Sequence, residues 1–195
     1  MTTRTQNRNS QPARLTEVSE LRRQVREVVN WTPAVDIHTH LFAPQFGEMS
    51  LYGIDDLLTY HYLIAETFRS TTITPECFWH MTQSKQADLI WKTLFVDNTP
   101  ISEATRGVVT VLTAFDLDPN ATDLDEARAY FKSRSLTEQI DRVLDIARVS
   151  DVVMTNDPLD TREAHVWESR VPIDPRFHAA LRMDRILNED RKSVV

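Results

Sequence analysis

The chain has 195 residues, 41% hydrophobic and 26% charged, a balance that suits a globular protein with one sizeable core and excludes disorder throughout. Its formal charge of -7 argues against general nucleic-acid binding, which demands clustered Lys and Arg, and no apolar run approaches the ~18 residues of a membrane helix. The single cysteine, Cys77, excludes an internal disulfide and a cysteine-rich zinc cluster, while three glycines, Gly47, Gly53 and Gly107, cannot write a dinucleotide or nucleotide-phosphate loop.

Residues 1–15 mix Thr, Arg, Asn, Gln and Ser with almost nothing to bury, which predicts a disordered tail. From Thr16, the residues Val18, Leu21, Val25, Val28 and Val29 recur with helical period and stop before Pro33. The following Ala34–Leu41 segment is short and rich in β-branched residues, and reads as a buried strand. Residues 55–69 predict one helix, with Asp55 or Asp56 to cap it and Leu57, Leu58, Ile64, Ala65 and Phe68 on neighbouring faces. Further helices are expected at about 75–81, 84–95 and 123–147. In Gly107–Phe115 the β-branching favours a strand, but Ser102-Glu103-Ala104-Thr105 resembles a helix start, and a helix is the expectation. Asp151–Thr155 reads as a strand, Asp157-Pro158 as a cap with proline at the first helical position, and Phe177–Arg182 as the next strand. The organisation is α/β: helix and first strand over 16–41, a helical insertion over 42–150, and further α/β elements over 151–195.

Metal ligation must fall to His and carboxylates, and the lack of cysteine pairs fits a reducing cytoplasm. Residues two apart in a strand share a side, so His38 and His40 present two imidazoles to one point. This is half of a metal site; two hydrogen-bonded strand histidines explain the spacing equally well. His61 falls on the helical face of Leu57, Ile64, Ala65 and Phe68, where a core histidine is the alternative to a ligand-facing one. Arg182 offers a guanidinium fork for a carboxylate, or a surface partner for Asp184. Ordinary surface or packing roles are expected for His80, His165 and His178.

Four segments in order carry a family resemblance. Val35-Asp36-Ile37-His38-Thr39-His40-Leu41 is similar to the first-strand signature of the amidohydrolase superfamily, and Ile54-Asp55-Asp56-Leu57-Leu58-Thr59-Tyr60-His61-Tyr62-Leu63 resembles the segment of uronate isomerases that carries a His-Tyr pair. Asp151–Asp160 looks like their strand and turn, with Asn156 where the family pattern has Asp; Ala180–Asp184 is similar to their Trp-Arg-Pro-Asp, with Leu181 and Met183 replacing Trp and Pro.

The resemblance implies a partial (β/α)8 TIM barrel with a large helical insertion after the first strand, incomplete because the whole barrel typically takes about 250 residues. It implies aldose–ketose isomerisation of a sugar acid such as glucuronate, with a divalent metal, zinc being the expected ion, on His38 and His40 and a later Asp. His61 and Tyr62 would then be catalytic and sugar-binding, and Arg182 would bind the substrate carboxylate. The expected partner is a small-molecule sugar acid, with no nucleic acid or membrane, and self-association into a homo-oligomer is compatible with it. As a fragment the chain is expected to be inactive. A metal-dependent hydrolase of the same superfamily and a non-catalytic shortened relative are the other readings.

Overall fold

A computed structural model describes residues 17–157, 160–183 and 187; the expected tail over 1–15 lies outside them. The elements run α1 (Val18–Trp31), β1 (Ala34–Thr39), a 3-10 segment (Pro44–Met49), α2 (Ile54–Leu58), α3 (His61–Ser70), α4 (Pro75–Trp79) and α5 (Gln83–Trp91). A π-helical turn (Lys92–Val96) extends α5, and α6 (Glu103–Ala114), α7 (Asp125–Lys132), α8 (Leu136–Ala147), β2 (Val149–Asn156), α9 (Thr161–Ser169) and β3 (Phe177–Leu181) follow. None of the described helices is long and apolar enough to cross a membrane.

Side-chain oxygens start many of these helices by accepting amide hydrogens that lack intrahelical partners. Thr74 accepts from Cys77 N, Thr82 from Lys85 N, and Ser102 from Thr105 N. The same chemistry divides two helices that periodicity ran together. Ser135 forms a reciprocal capping box with Glu138 and begins α8 afresh, so 123–147 holds two helices in place of one. Thr59 Oγ1 donates to Asp55 O at 2.8 Å and closes α2, while Tyr60 is extended (φ -70°, ψ 143°), so 55–69 is also two helices and His61 opens the second. The last helix is capped by Asp160, which accepts from Arg162 N, three residues beyond the Asp157 cap that the sequence suggested; Pro158 lies outside the described residues.

Two apolar clusters result. Ile54, Leu58, Leu63, Phe78, Ile90, Val108 and Leu124 are among the buried residues that bind α2–α7 together. Phe46, Ile140, Leu144, Val152, Met154 and Phe177 join the 3-10 segment and α8 to the sheet. The sheet has order β1-β2-β3 with both pairs parallel, as α/β connections through helices require. Those three strands are what the described residues supply of the expected barrel.

β1 departs from the expected buried strand: Val35 is 55% exposed and Ile37 75%. Among the described residues β1 stands at the edge of the sheet, paired with β2 alone. Helix α1 likewise has no buried residue. It is held by the Arg148 guanidinium over the Trp31 ring (4.1 Å) and by the adjoining bond from Ala34 N to Arg148 O (2.9 Å).

Candidate active site at the carboxyl ends of the strands

Parallel pairing brings the ends of three strands to one edge. Thr39 is in register with Met154, Thr155 with Ala180, and Asn156 with Leu181. Two further bonds fasten this edge: Thr155 Oγ1 donates to Thr39 O at 3.2 Å, and Arg182 N to Asn156 O at 3.0 Å. Around the histidines, Asp36 Oδ1 accepts from His38 N and Thr39 Oγ1 accepts from Leu41 N, each at 3.0 Å. These short-range bonds hold the backbone that carries the two imidazoles.

His38, His40, Thr155, Ala180, Leu181 and Arg182 line one cleft of about 320 Å³. The rings of His38 and His40 lie 6.0 Å apart between centroids with planes at 88°. Asp184, the alternative partner of Arg182, is outside the described residues. The structure therefore gathers His38 and His40 with Arg182, which is far from them in sequence.

His61 and Tyr62 do not line that cleft. They reach it through Tyr60, whose half-buried ring meets His40 edge-on at 5.9 Å, His61 at 4.2 Å and Tyr62 at 5.6 Å. The His61 and Tyr62 rings lie 4.1 Å apart despite the divergence of neighbouring helix positions. Tyr60 escaped the sequence reading because the break before α3 was not foreseen. The run Tyr60-His61-Tyr62 was its available signal.

Glu163 was also missed. It is 2% exposed on α9, where Oε2 accepts from Asn156 Nδ2 and Oε1 from Asp157 N, both at 2.9 Å. A carboxylate is thus used to fasten the end of β2 to α9. Glu163→Ala should remove the acceptor of the buried Asn156 amide and of the Asp157 N–H and lower stability by about 2–4 kcal/mol, with a smaller loss for Glu163→Gln, which keeps one acceptor. Urea unfolding followed by circular dichroism reads this, and a loss under about 1 kcal/mol would show that the latch is dispensable.

The remaining histidines are exposed. His80 Nδ1 lies 2.6 Å from Glu76 O, and His178 Nε2 lies 2.9 Å from Asp151 Oδ1; that bond holds the Asp151 carboxyl below its ordinary range. His165 is exposed on α9. Among the described residues, no group of three His, Cys, Asp or Glu is placed to hold a metal ion. The His38–His40 pair fits such an ion as two nitrogen donors of a set that needs at least one more.

No protein-family model and no curated protein matches the chain. Among solved structures, it matches a uronate isomerase from Bacillus halodurans C-125 with a TM-score of 0.88 and 49% sequence identity, over 92% of this chain and 43% of that one. This chain matches a part of a uronate isomerase. The uronate isomerase likeness spans less than half of that relative's length, while taking in nearly all of the helical block and the sheet described above.

Proposed function

We infer that this chain supplies part of the active site of a divalent-metal-dependent isomerase acting on a sugar acid such as glucuronate. The observation that carries the reading is the convergence of His38, His40 and Arg182 on one cleft at the carboxyl edge of a parallel sheet, the edge at which barrel enzymes keep their chemistry. The 49% identity to a uronate isomerase supports the substrate class.

The reaction moves a proton between adjacent carbons: C2 loses one, C1 gains one, and the carbonyl and hydroxyl exchange places. No external oxidant or reductant is needed. His38 and His40 would hold a divalent metal, zinc being the expected ion, which when bound would supply Lewis-acid chemistry to the site. Arg182 holds the carboxylate through two parallel charge-assisted bonds, which fixes the sugar's orientation. His61 and Tyr62, both exposed at the start of α3, hydrogen-bond sugar hydroxyls and pass protons between them.

The uncovered apolar faces support completion of the fold by the counterpart of the relative's remaining length. Val25, Val28 and Val29 on α1 and Ile37 on β1 are exposed, and a (β/α)8 barrel closes by adding strands at such an edge. Isolated, the chain is expected to lack activity.

The test uses a full-length protein containing this chain, incubated with glucuronate and, separately, with model esters. Ketose formation without ester cleavage supports the isomerase. Ester cleavage without ketose would transfer the site to a metal-dependent hydrolase, whose activated hydroxide needs the same pair of histidines.

A further inference from the structure

Between the strand-borne histidines and the helix-borne His-Tyr pair stands a residue to which neither composition nor likeness gives a role. We propose that Tyr60 is a positioning residue, a strut that sets the His40 imidazole against the His61–Tyr62 pair and so fixes the spacing between the metal-binding and sugar-facing sides of the site. The proposal rests on the isomerase reading for its chemistry, but its geometry stands on its own.

Three observations converge. First, the backbone of Tyr60 is tied to the helical core on both sides, since Leu58 and Leu63 are buried and the Tyr60 carbonyl accepts from Leu63 N (3.1 Å) and Ile64 N (3.2 Å). Second, its ring is half-buried, whereas those of His38, His40, His61 and Tyr62 are exposed, so it is the anchored member of the group. Third, it alone touches both sides: the ring contacts run His38–His40 at 6.0 Å, His40–Tyr60 at 5.9 Å, Tyr60–His61 at 4.2 Å and His61–Tyr62 at 4.1 Å.

The two apolar clusters make this contact consequential. His40 follows β1, which belongs to the sheet, whereas α2 and α3 belong to the helical block. An exposed imidazole at a strand end samples several rotamers unless something packs against it. Edge-on contact with an anchored aromatic ring selects among them. Groups that orient a metal-binding histidine typically act on affinity by 10–100-fold.

The experiment compares a full-length protein containing this chain with its Tyr60→Leu variant, which keeps apolar volume without the ring, and its Tyr60→Phe variant, which keeps the ring without the hydroxyl. Two quantities are read: the order of the His40 ring from 13C relaxation of its C–H groups, and zinc affinity by calorimetry. In Tyr60→Leu the His40 ring is expected to become mobile, and zinc binding to weaken about 10-fold, while the helical-core amides keep their parental shifts. Tyr60→Phe should restore both. Unchanged His40 order in folded Tyr60→Leu overturns the proposal, as does a Tyr60→Phe variant as mobile as Tyr60→Leu. If the parent binds no zinc, the metal reading of this chain fails, and His40 order alone decides the role of Tyr60.

Discussion

Phe78→Ala is expected to lower stability by about 3–5 kcal/mol, the range for truncating a fully buried phenylalanine. Phe78 is 0% exposed, its ring meets Phe68 and Trp79 at 5.1 Å each, and its carbonyl accepts from Gln86 Nε2 at 3.0 Å. The residue therefore joins α3, α4 and α5, its ring through Phe68 and Trp79 and its backbone carbonyl through Gln86, at a point where collapse of the surroundings is opposed from several directions. Trp79 supplies the contrast one residue on. It is 60% exposed, and Trp79→Ala should cost about 1 kcal/mol or less, in spite of the larger side chain removed. Urea denaturation of both variants, read by circular dichroism, measures the difference. Equal losses would mean that α4 is not held by its inward face, and that stability is not concentrated in the α2–α7 cluster.

That cluster was largely legible in the sequence, because a helix facing one core must repeat its apolar residues near every third or fourth position. The same logic revealed α1, and it gave α6 once Ser102 was weighed as a cap against the β-branched run that follows. The breaks at Thr59–Tyr60 and before Ser135 were harder. Each depends on a side chain bonding to a nearby backbone group, which interrupts a helix without disturbing its apolar period. The Ser135-x-x-Glu138 pattern was nevertheless readable as a capping box. Burial of β1 was a different kind of expectation: Val35 and Ile37 show which side is apolar, but exposure depends on what lies across that side.

For the site, a local rule and a long-range arrangement had different fates. Strand alternation led to the expectation that His38 and His40 share a side; both line one cleft, but β1 ends at Thr39 and its register shifts between Asp36 and Thr39, so regular alternation does not account for the placement of His40. Tyr60 reaches His40 only because α2 ends at Leu58 and α3 restarts at His61, and the Glu163 latch depends on α9 folding back beside the end of β2. Neither follows from a periodic pattern. Both put residues with unremarkable sequence surroundings where they control the placement of others.

Metal binding should show the opposite profile to the Phe78 experiment. His38→Ala and His40→Ala are each expected to reduce zinc affinity by more than about 100-fold, beyond the 10–100-fold typical of losing an orienting neighbour, while shifting stability by no more than about 0.5 kcal/mol. The physical reason is that both imidazoles are exposed and outside the two apolar clusters, so their removal opens no cavity. His80→Ala is the matched control, since that ring is also exposed and bonds locally to Glu76 O. Calorimetric titration and metal analysis of the dialysed proteins read the outcome. If His38→Ala and His40→Ala hold zinc as firmly as His80→Ala, the strand pair is not a ligand set and its imidazoles serve as ordinary hydrogen-bonding groups. Should the two losses differ strongly, the residue with the greater loss marks the nitrogen on which the site depends more, and the proposed Tyr60 strut predicts that this is His40, whose ring Tyr60 meets.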